Sequence, residues 1–495
     1  MLKLELEKLI GGLSVSERKQ FKQHCAGQRA HKEYVALFDL LTQYRVAPDQ
    51  QAESLFAARF PGKSFENTAA YLYKVLSNML IQTRIEQDTW YARYQALMKA
   101  RLCFERSLPS MALKELKKAR KLAIEAEDPY IQYQSLRMEL GYLTDIGLPD
   151  VPEQTLVDQQ MLGRNLLRIM QQIHEHQSLY QLLTQRLNHD HELVSQDQKK
   201  ITDLVLSELS ITNRGMRHQF ESKKVHLLFQ SFFFIRTGEY HAALKMFKEL
   251  NTLIEAHENM WNFPPYDYLS ALRGILDSLR TIGYYVEMQY FIHRVDKLSQ
   301  GAYPEHFIRE ASQTHHVYRL NMLTQLRKDE EALQLVLSLK KQQLLKNNFY
   351  YRDEHNALLF FTALAYFQQG RWSDANQYLQ LALREREVSS QLIYRSTWLL
   401  HLLVHMELDN LEYLHYEIRT YKRAFSKQGG MFKIEKFIFK LVQLDPGRCS
   451  MPKRKAIAEK WFTQLDDLRL DKRERQLLKY ADFIDWIKRK IEDKP

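Results

Sequence analysis

His401 and His405 stand four residues apart in a stretch with helical spacing, so both imidazoles can face one way. A zinc hydrolase of the HExxH kind needs a glutamate directly after the first histidine; Leu402 holds that place, followed by Leu403 and Val404. The pair therefore reads as helix packing. His174 and His176, with His189 and His191, form a second group among Glu175, Asp190 and Glu192. Residues two apart diverge on a helix, so these histidines are expected at helix ends and solvated turns. His315-His316 has no carboxylate pattern beside it. Residues 57–64 end in Gly62-Lys63-Ser64 like a phosphate-binding loop, but Ala57 stands where the first glycine is required and Pro61 removes an amide donor. Carboxylates alternate with Lys and Arg, as across 114–121 and 466–474, which is the pattern of surface pairs and not of an acid–base dyad. These residues point to no catalytic group, no metal site and no cofactor, and the chain is expected not to be an enzyme.

Positive charge is the other chemistry on offer. The chain has 71 Lys and Arg against 60 Asp and Glu, a net charge of +11. Residues 411–460 alone hold twelve basic against five acidic side chains. Lys433, Lys436, Lys440, Lys453, Arg454 and Lys455 are candidate contacts for a polyanion, with Phe425, Phe432, Phe437 and Phe439 interleaved. Lysines of this kind neutralise phosphates, and exposed rings stack on bases, so nucleic-acid or ribonucleoprotein binding is an alternative function. The same phenylalanines also fit the buried face of a helix, and the lysines a solvated surface.

The elements that must position these groups are helices. The 495 residues contain only 16 Gly and 12 Pro, too few for the turns of an all-β chain. The three cysteines, Cys25, Cys103 and Cys449, are far apart and give neither a disulfide framework nor a metal pair. With no apolar leader and no run long enough to span a membrane, a cytoplasmic location is expected. Apolar residues recur at three- and four-residue spacing, as in Tyr71, Val75 and Met79 or Leu113, Leu116 and Ala119. Turn residues punctuate the pattern at Ser107, Gly147, Asn188, Gly238, Gly283, Arg327, Gly370 and Asp409. Within the two runs Ser107–Asn188 and Gly238–Asp409 the intervals are 39 to 45 residues, the length of two helices and two turns.

The repeat is sharpest around Gly370, in the order Ala363, Tyr366, Gly370, Trp372, Ala375, Leu379, Ala382. The same gaps select Ser231, Phe234, Gly238, Tyr240, Ala243, Phe247 and Leu250. Looser copies surround Ser107, Gly283, Arg327 and Asp409. This pattern resembles the tetratricopeptide repeat. The resemblance implies an all-α, right-handed superhelical solenoid of antiparallel helical hairpins over residues 91–430. Residues 1–90 are then an N-terminal helical cap, and 431–495 a basic C-terminal cap. Ser14 and Glu17 form a capping-box pattern at the start of the chain. In that family the first helix of each unit lines a concave groove. The positions that capture a carboxyl terminus with Lys and Asn are here Leu228, Phe232, Phe360 and Leu364. With Ile235 and Phe367 they are instead expected to form an apolar groove for a partner helix, unless an added helix covers them. The expected function is a scaffold or adaptor that binds another protein, in an oligomeric state left open.

Overall fold

The computed structural model describes residues 2–26, 33–43, 49–147, 151–189, 203, 219–261, 263–341, 345, 352–384, 391–425, 430–444 and 451–492. Among them there are helices and turns but no strand. The helices are α1 (Leu2–Gly11), α2 (Val15–Ala26), α3 (Glu33–Gln43), α4 (Asp49–Arg59), α5 (Phe65–Gln87), α6 (Thr89–Glu105), α7 (Pro109–Glu125), α8 (Pro129–Asp145) and α9 (Glu153–His189). Then come α10 (Phe220–Thr237), α11 (Tyr240–Ala256), α12 (Tyr266–Ile282), α13 (Tyr285–Ser299), α14 (Glu305–Gln325), α15 (Asp329–Lys341), α16 (Arg352–Gln368) and α17 (Trp372–Leu383). The last are α18 (Gln391–Glu407), α19 (Leu411–Phe425), α20 (Lys433–Leu444), α21 (Met451–Leu468), α22 (Lys472–Leu478) and α23 (Phe483–Glu492).

Six hairpins are built by one local device. The turn residues Gly238, Gly283 and Gly370 take φ values of 74°, 85° and 70°, and Ser107, Arg327 and Asp409 take 60°, 57° and 56° at the same place. The left-handed residue lets the next amide reach back and satisfy a carbonyl left open at the helix end. Leu108 N donates to Cys103 O at 2.9 Å, Glu239 N to Phe234 O at 2.9 Å and Tyr284 N to Leu279 O at 2.9 Å. Lys328 N to Leu323 O, Arg371 N to Tyr366 O and Asn410 N to His405 O follow at 3.0 Å each. The second helix then begins two residues after the turn residue in every copy. The repeat slots face inward: Ala363, Ala375 and Leu379, like Ser231, Ala243 and Phe247, are fully buried, as are Ala100, Leu276, Leu320 and Leu402 in the looser copies. The result is a helical repeat-like array in which consecutive helices pack on one another.

Two expectations are corrected. Asn188 and His189 do not form a turn but lie in α9, whose 37 residues span about 55 Å. No glycine stands there to reverse the chain. His174 and His176 are consequently mid-helix, the first exposed and the second buried.

The chain divides into two compact units, residues 1–174 with 302–306, and 175–301 with 307–495. In the first unit, Phe21 and Phe38 (ring centroids 4.4 Å apart) centre a core with Leu37, Phe56, Leu72 and Leu76. Ser14 and Glu17 cap each other as expected, Glu17 N donating to Ser14 Oγ at 3.2 Å and Ser14 N to Glu17 Oε2 at 2.8 Å. A small-residue core of Ala96, Ala100, Ala119 and Ala123 then joins α6 to α7. In the second unit one apolar cluster runs from Val317 to Ile491, so residues 431–491 share their core with the preceding hairpins.

Candidate functional site

The apolar row expected to line an open groove is covered. Leu228, Phe360, Leu364 and Phe367 are buried, and Phe232 and Ile235 half-buried. Phe232 packs on Tyr180 and Phe247, with ring centroids 6.0 and 5.5 Å away. Over α16 the cover is the chain's own C-terminal segment. Tyr480 meets Phe360 edge-on at 6.2 Å and stacks on Phe361 at 6.5 Å. This segment engages five successive hairpins of the second unit. Lys472 pairs with Glu239, and Lys479 Nζ reaches both oxygens of Asp277 at 3.1 Å. Arg280, bonded to Asp277 through Nε at 2.7 Å, lies over Tyr318 and Tyr480 at 5.0 and 4.9 Å. Asn321 Nδ2 donates to Lys479 O at 3.2 Å, and Trp486 Nε1 to Glu407 Oε1 at 3.0 Å. Burial alone would raise the Asp277 carboxyl, but Arg280 and Lys479 together hold it well below the usual carboxylate range. Asp277 and Lys479 are 202 residues apart, which is why no spacing in the sequence announces the pair.

In the basic C-terminal stretch the phenylalanines follow the buried-face alternative. Phe425, Phe432 and Phe439 are buried, and Phe437 packs on Trp461 at 5.2 Å. Three of the four rings are core, and Phe437 is half-buried. Phe425 and Phe432 instead sandwich the fully buried Arg395, whose guanidinium lies 4.3 and 5.4 Å from their centroids. Arg395 Nη1 donates to Glu435 Oε1 and Gly430 O at 3.2 Å each, and Tyr421 Oη donates to Glu435 Oε1 at 2.6 Å. Burial raises the Glu435 carboxyl despite these partners. Lys433, Lys436, Lys440 and Lys455 are exposed, Lys433 pairing with Asp471 at 2.8 Å. The side chains of Lys453 and Arg454 lie outside the described residues.

His401 and His405 do share one face of α18, with ring centroids 4.4 Å apart, and both are buried. His401 Nε2 meets Tyr413 Oη at 3.2 Å, and His405 Nδ1 meets Asn410 Nδ2 at 3.1 Å. Burial, with His405 close by, pushes the His401 imidazole down to about 3, and burial lowers His405 as well. Among the described residues no group of three or more metal-ligating side chains comes together. Gly62-Lys63-Ser64 serves a helix start: Ser64 Oγ accepts from Asn67 N at 3.3 Å, and Lys63 pairs with Glu33 at 2.9 Å.

What the sequence reading missed lies on the first unit. Trp90, Tyr94, Met98 and Leu102 on α6 are 48, 38, 61 and 55% exposed, and Leu108 and Met111 follow at 51 and 48%. The opposite side of α6, with Ala96, Leu97 and Ala100, is buried. The signal was available: a second apolar row, at four-residue spacing, on a helix whose first row already supplies the core. In the second unit, a groove of about 700 Å³ runs along α11, where Lys223, His241, Lys245 and Lys248 rim Leu244 and Leu253.

Fold and surfaces together define a helical repeat-like, all-α protein in which buried Arg395, Glu435 and Asp277 join helices. No described helix is long and apolar enough to cross a membrane. No family model, curated protein or solved structure matches the chain.

Proposed function

We propose that the protein is a non-catalytic scaffold of the tetratricopeptide-like kind, its hairpins wound into a right-handed superhelix, and that it works by binding another protein. The observation that carries this reading is the α6 row. Large apolar side chains in register on one solvent-facing line are costly to leave wet, and aromatic residues, Met and Arg are the types enriched at protein interfaces. The buried charges favour the same reading, since Asp277, Glu435 and Arg395 each hold one helix to another. Three cysteines, too few and too far apart for a disulfide framework, suit a reducing compartment such as the cytoplasm.

A photo-crosslinking residue placed at Met98 in the native cell tests the reading. Protein adducts should form from Met98 and not from the exposed Lys436 of the second unit. Equal yields from both positions, or none from Met98, reject it.

A further inference from the structure

We propose that the groove along α11 seats an acidic, leucine-bearing peptide segment of another protein. This contact lies on the second unit, apart from the α6 row, and goes beyond that reading by naming a second site and its partner's chemistry. Along α11 the lining residues recur at helical spacing, from His241 through Leu244, Lys245 and Lys248 to Leu253 and Ala256. They form one stripe that advances about 22 Å along the helix axis. A volume of about 700 Å³ spread over that length leaves a cross-section of about 30 Å². That admits a row of side chains but not a whole helix, which is about 10–12 Å wide.

The groove offers both kinds of contact that such a segment needs. Leu244, Leu253 and Ala256 are its apolar part, and Lys223, Lys245 and Lys248 line the same space. Glu249 is the single carboxylate among the described lining residues. Lys223 and Lys245 are exposed and, among the described residues, pair with no carboxylate. The adjacent Lys224 has the opposite environment: it is buried and held by Glu221 and Asp267 at 2.8 and 2.6 Å. Lys248 meets Glu287 at 3.3 Å, but both side chains are about half exposed, and such a pair holds weakly. Carboxylates set among apolar side chains complement lysines set beside leucines. A free phosphate would leave Leu244 and Leu253 unused. No Phe, Tyr or Trp is among the described lining residues, so single-stranded nucleic acid finds no such ring to stack on. The groove of a second copy, brought face to face by a two-fold axis, would set lysine against lysine.

The test is fluorescence anisotropy on the full chain with a short labelled peptide of Glu and Leu in equal number. Binding should saturate, weaken as salt rises, and weaken at least tenfold when Lys223→Gln and Lys245→Gln are combined. Circular dichroism should show the helix content of that double variant unchanged, because both side chains are exposed. Lys436→Gln, on the exposed face of α20 in the same unit, should leave the affinity as it was. The peptide with Lys for Glu should not bind, and the peptide with Ser for Leu should bind at least tenfold more weakly. Equal affinity for either of these and the first peptide, unchanged affinity in the double variant, an equal loss in Lys436→Gln, or displacement by a single-stranded oligonucleotide overturns the proposal. A dimer of the parent chain in light scattering that the double variant loses assigns the groove to a second copy and overturns it too. Protein crosslinks from Met98 without peptide binding remove the groove site and leave the protein-binding reading standing; absence of both removes both.

Discussion

Gly274 shows how much one hydrogen atom decides. A Cβ built there would sit 2.2 Å from Cζ of Phe247, a fully buried ring held edge-on to Phe232. The ring cannot move aside in a close-packed core. Gly274→Ala is therefore expected to destabilise the protein by about 1–3 kcal/mol in denaturant unfolding, and Phe247→Leu in the same chain should restore part of that loss. The turn residues give a prediction of the opposite sign. Ser107 holds a φ of 60°, where a side chain costs about 1–2 kcal/mol and glycine is at ease. Ser107→Gly should raise the melting temperature, whereas Gly370→Ala, at a φ of 70°, should lower it. His401 and His405 predict a pH dependence. Both imidazoles are lowered in the fold, so below the ordinary histidine range the unfolded chain binds more protons and stability falls as pH falls. The contribution is complete above about pH 6.5 and fades below it, by at most about 1.4 kcal/mol per pH unit for each histidine. Unfolding at pH 7 and pH 5 should show a smaller difference in the His401→Gln, His405→Gln variant than in the parent chain.

Among elements, the sharpest lock joins α18, α19 and α20. Arg395 comes from the first, Tyr421 from the second and Glu435 from the third, and Phe432 N donates to Glu435 Oε2 at 3.0 Å. Lys433 N and Ile434 N donate to Glu474 at 2.8 and 3.1 Å, so the start of α20 is capped from 40 or more residues away. Arg395→Met would leave Glu435 buried without its cation, a change expected to cost about 3–5 kcal/mol. Adding Glu435→Gln should recover much of it, and a double-mutant cycle in denaturant measures the coupling. The lock was invisible in the sequence because its members are ordinary types at unremarkable spacings. The hairpin turns were legible for the opposite reason. Their hydrogen bonds close within six residues, so turn type and helix start follow from the local chain even where Arg327 or Asp409 replaces glycine.

At the scale of the whole molecule, the second unit is closed by its own C-terminal segment. Tyr480 links α16 to the Asp277–Arg280–Lys479 cluster, so Tyr480→Ala should cost about 3 kcal/mol or more, whereas Tyr416→Ala on the exposed face of α19 should change stability by less than about 0.5 kcal/mol. Thermal unfolding of the two variants side by side checks this. Sequence alone determined the helical class, the six hairpins and the inward face of each repeat, because spacing of three and four residues and a six-residue turn are properties of contiguous chain. It did not determine which apolar faces stay open. Phe360 and Leu364 look as available in one dimension as Trp90 and Met98, yet the first pair is buried and the second exposed. That difference was decided by tertiary structure alone: burial depends on which distant segment returns to cover a face, and the contact of Lys479 with Asp277 brings together residues whose separation along the chain carries no periodic trace.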